Sequence, residues 1–451
     1  MRGMGKFFNE RSDSMVDSGR RGFIKGLTTL SAAAAAKCGM SMMPAEQKAY
    51  DKYNAMVIPR PDGLLDGEPV LQVPAPDSMG VAFAVTALAN GFAEVADNPE
   101  LKNPARFMAE GMPLAGIDDR VLRIRMAGLR PGTRYWYRVG AAKLEHPIGY
   151  WTKPSETVWS GVHSFITPGE NAPSHFAMMS DTHAAFEQMS RITRLYRERK
   201  VPLVVWNGDI PNSLTNARED FVKHYLVPPE NEGYAADTPI VLNRGNHDFR
   251  GTAANRLGEV MMPRLPSERS PRDLALDRNF AFRMGEIALI GLDTGEDKPD
   301  HHPANGGFSS FTPYRIAQTA WLKDCFKRPE ITGAPYVVAF VHIPLVELWP
   351  GANPGTLLED YAVWQKECAD MWGPILTENK VQLVLAGHTH RYRYDPATTD
   401  RSWAEIIGGG RGGSTFQTLV EGKVENGKLV VLVHNTDAGT IVGEHAFAPR
   451  G

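Results

Sequence analysis

The stretch Pro239-Ile240-Val241-Leu242-Asn243-Arg244-Gly245-Asn246-His247-Asp248 sets a short apolar run directly against a polar cluster. A continuous apolar run bounded by turn residues reads as a buried strand. The same pattern recurs on both sides of it. His175 to Met179 leads into Ser180-Asp181-Thr182-His183, and Val201 to Trp206 leads into Asn207-Gly208-Asp209. Tyr336 to Val341 leads into His342, and Val381 to Ala386 into Gly387-His388-Thr389-His390. Between the first two of these runs, Phe186, Met189, Ile192, Leu195 and Tyr196 form a helical stripe, which predicts a βαβ unit. In such sheets the carboxyl ends of the strands gather at one edge, where ligands bind. Strings distant in sequence are therefore expected to converge in one cleft of an α/β domain.

What converges is His, Asp and Asn, a set of nitrogen and oxygen donors without thiolate. That set suits Zn, Fe or Mn better than Ca or Mg, which prefer oxygen alone. On an extended chain the side chains of Asp181 and His183 point to one side, so one ion can take both, and His388 with His390 repeats the spacing. The donors outnumber what one ion needs. Two metals sharing a carboxylate is the economical arrangement, with Asp209 the candidate bridge and Gly208 allowing close backbone approach.

Together, Asp181-x-His183, Gly208-Asp209, Gly245-Asn246-His247-Asp248, His342 and Gly387-His388-x-His390 resemble the signature of calcineurin-like metallophosphoesterases. The resemblance covers residues 173–448. It implies a four-layer α/β/β/α sandwich and a centre of two divalent or trivalent ions (Fe, Mn or Zn). Asp181, His183, Asp209 and His390 would hold one ion; Asp209, Asn246, His342 and His388 would hold the other. His247 would be the general acid or transition-state donor, with Asp248 orienting its ring. Two cations about 3.5–4 Å apart bind phosphoryl oxygen and acidify a bridging water. The implied reaction is attack of a metal-bridging hydroxide on a phosphate ester, a phosphoric ester hydrolase activity.

The pattern departs from that of purple acid phosphatases, which resemble this chain in arrangement. Those enzymes usually have Gly at the place of His183 and Glu at that of Asp248. They also carry a Tyr metal ligand three residues beyond the bridging Asp, where this chain has Asn212. The resemblance thus implies a protein without a phenolate-to-iron charge-transfer band.

Residues 64–168 read as all-β. Val121 to Met126 alternates, with Leu122, Ile124 and Met126 on one face. The string Leu129-Arg130-Pro131-Gly132-Thr133-Arg134-Tyr135-Trp136-Tyr137-Arg138-Val139 feeds a Pro-Gly turn into a strand with Thr133, Tyr135, Tyr137 and Val139 on one face. Tyr135 has the position of a tyrosine corner, whose hydroxyl returns to the backbone. The segment resembles the fibronectin type III-like sandwich that precedes purple acid phosphatase catalytic domains. Pro168 to Pro173 reads as a linker.

Residues 1–45 read as an address and a disordered segment. Gly19-Arg20-Arg21-Gly22-Phe23-Ile24-Lys25 precedes a weakly apolar run too short to span a bilayer, and it resembles a twin-arginine export signal. Machinery that exports folded proteins is the partner this implies, with a periplasmic or extracellular destination and no stable membrane insertion. The 451 residues carry 49 Lys+Arg against 52 Asp+Glu. Cleavage after Ala36 would leave 43 against 49, an acidic balance that argues against a nucleic-acid partner. Three cysteines exclude a disulfide scaffold and a four-Cys zinc module. Cys325 and Cys368 are candidates either for one pair or for buried thiols.

The glycine string Gly408 to Gly413 lacks the ending of a nucleotide loop. A tight loop beside the metals is the expectation, with Arg411 a candidate substrate contact. His301, His302 and His224 are expected in loops at the same edge, and His434 in a structural place. The favoured reading is an exported phosphomonoesterase acting on a small-molecule phosphoester. The alternatives are a phosphodiesterase acting on a nucleotide or phospholipid headgroup, and a surface-binding protein with a structural metal site.

Overall fold

The computed structural model describes residues 61–451 apart from 110–114, 149–150, 215–217, 232, 264–275, 303–306, 308, 347–356 and 411–415. The export segment and Arg411 therefore lie outside the described residues.

The apolar runs form two sheets that pack face to face. The strands His175–Met179, Val204–Asn207 and Ile240–Asn243 are parallel neighbours in a nine-stranded sheet. Tyr336–Phe340, Leu383–Ala386 and Ala404–Ile407 are parallel neighbours in a six-stranded sheet, joined by Ile287–Gly291. Each run is buried along its whole length because both its faces are covered. Between the sheets, Phe176, Met178 and Val205 meet Phe280, Leu289, Val338, Phe340 and Leu385. On the outer face of the nine-stranded sheet lies the helix Phe186–Glu198, which buries Phe186, Met189, Ile192 and Tyr196. This is the stripe that the sequence spacing predicts. Full burial of one such side chain stabilises by about 1.5–3 kcal/mol. The helices Phe311–Cys325 and Leu357–Glu378 cover the outer face of the six-stranded sheet, with Trp321, Leu322, Trp372 and Leu376 facing inward. The layers thus run α/β/β/α, as expected. Cys325 and Cys368 are both buried as thiols in this outer layer, and burial pushes the Cys368 thiol up to about 11.

The N-terminal strands form a sandwich around a core of its own. Leu65–Ala75, Ser78–Val85 and Val121–Ala127 make one side; His163–Ile166, Arg134–Ile148, Ala89–Ala96 and Ala105–Met108 make the other. Leu122, Ile124 and Met126 share the core with Tyr135, Tyr137 and Val139. The Arg130 backbone N–H donates to the Tyr135 hydroxyl at 2.9 Å, the return contact of a tyrosine corner.

This sandwich is fused to the α/β part. Its first strand runs parallel to Ile240–Asn243, with Gln72 opposite Ile240, so one of its sheets continues the nine-stranded sheet. Gln72 donates to the Val260 carbonyl at 3.2 Å and accepts from the Met262 N–H at 2.8 Å. The Tyr137 hydroxyl donates to the Ala236 carbonyl at 2.7 Å. The expected linker is also stitched down. Gly169 N–H donates to the Arg283 carbonyl at 2.8 Å, and its own carbonyl accepts from Gly285 N–H at 2.9 Å.

Candidate metal centre

The five polar strings meet at one edge, where the parallel strands end. Asp181, His183, Asp209 and His390 present ligand atoms that all lie within 4.8 Å of one another. Asp209, His342 and His388 form a second such group. Asn246 joins it through its side-chain oxygen, 3.1 Å from His342 Nε2 and 2.9 Å from His388 Nδ1. Asp209 belongs to both groups, with Oδ2 3.5 Å from His183 Nε2 and 3.3 Å from His342 Nε2.

The backbone route differs from the extended chain that the Asp-x-His spacing suggests. Asp181 (φ 56°) and His183 (φ 44°) are left-handed, as are Asp209 (φ 55°), His388 (φ 71°) and His390 (φ 57°). The side chains converge because the chain coils sharply past each strand end. Non-glycine residues in this region carry strain of order 1–3 kcal/mol each, and such strain gathers at functional sites. Gly208 (φ +90°) is required here, since a Cβ on it would run into the Gly245 backbone. Gly409 packs against Asp181 so closely that a Cβ would strike the carboxylate. The described part of the glycine string is thus the tight loop expected beside the centre.

Outer contacts fix the rings. His342 Nδ1 donates to the Asn207 carbonyl at 2.7 Å, which leaves Nε2 aimed at Asp209. His183 Nδ1 lies 2.9 Å from the Asn212 side-chain oxygen, which leaves Nε2 facing Asp209 and His390 Nε2, the latter at 2.9 Å. Asp181 is held by the His388 N–H, 3.0 Å from each carboxylate oxygen. Second contacts of this kind set the tautomer and direction of metal-ligating histidines.

The electrostatics ask for a cation. Burial works against a charged His342, but Asp209 and Asp181 outweigh it and lift the ring to about 10. Burial likewise opposes ionisation of Asp209, yet His342, His247 and His183 hold its carboxyl well below the usual range. Carboxylates this deep need positive charge beside them. Converging nitrogen and oxygen donors with preset tautomers fit two ions of the Fe, Mn or Zn kind.

Asp248 is a correction. It does not meet the His247 ring. Its Oδ2 accepts from the Asp209 N–H at 2.9 Å and the Gly245 N–H at 2.8 Å, and its Oδ1 accepts from the Tyr225 hydroxyl at 2.9 Å. Asp248 clamps the two ligand loops together, while burial, with Asp209 adding to it, lifts its carboxyl to about 6. The His247 ring is held instead by the Asn212 carbonyl, 2.8 Å from Nδ1, and by Arg250 Nη1, 2.8 Å from Nε2. His247 Nε2 stands 3.9 Å from Asp209 Oδ2. Burial holds this ring down to about 4 against the pull of Asp209.

Sequence reasoning passed over Asn207 and Arg250 and treated Asn212 only as a missing tyrosine. Asn207 orients His342 through a carbonyl that any residue would offer, so no side-chain signal marks it. Arg250 could have been found from its place three residues past His247. His224, expected in a loop at this edge, is instead buried in a helical turn. Its Nδ1 faces the Asp220 carbonyl at 2.5 Å, and its ring packs on Phe186. His434 is structural as expected, 2.9 Å from Glu421. His301 is exposed.

Residues 174–392 match the family of calcineurin-like phosphoesterases. This segment is therefore similar to the calcineurin-like phosphoesterases. Around it, the chain is 26% identical over 282 residues to the probable purple acid phosphatase 20 of Arabidopsis thaliana, covering 58% of this chain and 53% of that protein. It is 31% identical over 268 residues to purple acid phosphatase 5 of the same plant, covering 58% and 51%. The matches to these two curated relatives span about half of each relative's length. A solved purple acid phosphatase from yellow lupin (Lupinus luteus) seeds has the same fold, with a TM-score of 0.60 at 14% identity over 85% of this chain and 74% of that one. Residues 174–451 alone cannot supply 85% of the chain, so the likeness in fold reaches into the N-terminal sandwich.

Proposed function

We propose that the chain is an exported, binuclear metal-dependent phosphoesterase that hydrolyses small phosphomonoesters. The observation that carries this reading is Asp209, shared between two buried donor groups while His247 stands 3.9 Å away. Asp181, His183, Asp209 and His390 would hold one ion, and Asp209, Asn246, His342 and His388 the other. Bound there, the two cations would supply charge for the phosphoryl oxygens and a water acidified toward neutrality.

The protein's own part is positioning and proton handling. Asn207 and Asn212 hold His342 and His183 so that each turns a lone pair inward. Asp248 ties the Gly208-Asp209 and Gly245-Asn246 loops into one unit, which keeps the two donor groups in fixed relation. His247 keeps one proton at Nδ1 on the Asn212 carbonyl. Its Nε2 is then the atom that takes up a mobile proton and gives it to the leaving oxygen or to the crowded phosphoryl group.

The test is hydrolysis of p-nitrophenyl phosphate against its bis-ester, with Mn, Zn or Fe supplied and metal content measured. Turnover favouring the monoester is expected. Turnover of the bis-ester alone would make the protein a diesterase, and none by a metal-loaded sample would leave a binding role. Export rests on the Arg20-Arg21 string. Replacing both arginines with lysine should keep the protein in the cytoplasm, and unchanged export would contradict the assigned route.

A further inference from the structure

Arg250 lies just beyond the His247 turn, and two buried carboxylates in a row hold it there. Its Nε donates to Glu296 Oε2 at 3.0 Å, and its Nη2 donates to Glu296 Oε1 at 2.8 Å and to Asp297 Oδ1 at 3.1 Å. Lys298 Nζ closes the group, 2.5 Å from Asp297 Oδ1 and 3.4 Å from Glu296 Oε1. The two carboxylate side chains are 6% and 7% exposed, and that of Arg250 is 24% exposed. The anions thus lie beneath and the guanidinium above. Burying such a cluster costs several kcal/mol per ion before pairing, so it is poor stabilisation in itself. Its effect is to fix the guanidinium plane and to leave Nη1 as the end turned toward the centre.

There Nη1 donates to a neutral partner, His247 Nε2, at 2.8 Å, and that nitrogen is 3.9 Å from Asp209 Oδ2. A guanidinium pairs more strongly with an anionic phosphoryl oxygen than with an uncharged imidazole nitrogen, because both partners are then ionised and the fork can bind two oxygens. An anionic oxygen arriving beside Asp209 would therefore draw Nη1 away from the imidazole and free Nε2 to carry its proton. A phosphomonoester has three unesterified oxygens and a diester has two. If two bound cations took up two of them, the third would need a donor from the protein. We infer that Arg250 is that donor: it contacts the third unesterified oxygen of a phosphomonoester and so sets the preference of the site for monoesters over diesters.

This inference rests on the phosphoesterase reading above, and two measurements separate them. The first is the ratio of kcat/KM for p-nitrophenyl phosphate to that for its bis-ester, in the metal-loaded full chain and in Arg250→Gln. The second is binding of inorganic phosphate to the same samples by calorimetry, which needs no turnover. The ratio should fall at least about tenfold and phosphate should bind about tenfold more weakly, with metal content retained; loss of one oxyanion donor commonly costs about 10²–10³ in rate. Equal losses for both esters, or unchanged phosphate binding, would overturn the role of Arg250. If the wild type turns over neither ester, the phosphoesterase reading falls and the phosphate arm still decides this one. If Arg250→Gln fails to fold above its buried carboxylates, Arg250→Lys carries the test, because it keeps the charge and loses the fork.

Discussion

The side-chain oxygen of Asn212 lies 2.9 Å from His183 Nδ1, while the carbonyl of the same residue lies 2.8 Å from His247 Nδ1. One residue therefore sets the direction of the His183 ring in the donor cluster and of the His247 ring beside it. Replacing Asn212 with Leu removes the first contact and keeps the second. We expect the ion at the His183 group to bind about 10–100-fold more weakly, while Asn212→Asp, which keeps the acceptor, stays near wild type. Metal titration followed by calorimetry reads the difference; equal affinity in Asn212→Leu would mean that the ring needs no such support.

The Asn212 side chain thus bonds to a ring of the first donor group. Among the described residues, the donor groups contain carboxylate, imidazole and amide but no tyrosine. Protein loaded with ferric iron should accordingly lack a phenolate-to-iron absorption in the visible range. An intense band there, lost on mutating a tyrosine, would show that the ligand set is wrong.

Away from the centre, Glu421 is the shared acceptor for His175 and His434, each at 2.9 Å, and for Arg199. Burial alone would raise its carboxyl, but hydrogen bonds from these three groups outweigh that and hold it well below the usual range. A depressed carboxylate stabilises the fold above the unfolded Glu value of about 4.3 and loses that contribution as pH falls toward its own. Glu421→Gln should cost roughly 3–5 kcal/mol at pH 7. The gap to wild type should narrow as pH drops below about 4. Denaturant unfolding at a series of pH values checks both; a gap independent of pH would assign the loss to packing.

Much of this is legible in the sequence because strand ends are marked locally. An apolar run followed by Gly-Asp or Asn-His announces its own chemistry, and the parallel topology brings the strings together. Tyr135 announced its corner through the Pro-Gly turn ahead of it. The coiling at Asp181 and His388 was not legible, since left-handed conformations at non-glycine residues depend on tertiary support rather than on propensity. The resemblance implies that Asp248 serves His247, whereas the tight turn over 246–249 sends its carboxylate back to the Asp209 loop. Nor could sequence show the sandwich joining the catalytic sheet, because the Gln72 to Ile240 pairing spans most of two domains and leaves no periodic trace.

The measurement that bears most directly on a shared carboxylate is metal content and turnover in Asp209→Asn, compared with His247→Ala. The first variant should lose both ions and all turnover of p-nitrophenyl phosphate. The second should keep two ions per chain while kcat falls by about 10²–10⁴. Two retained ions with wild-type kcat in Asp209→Asn would contradict the account.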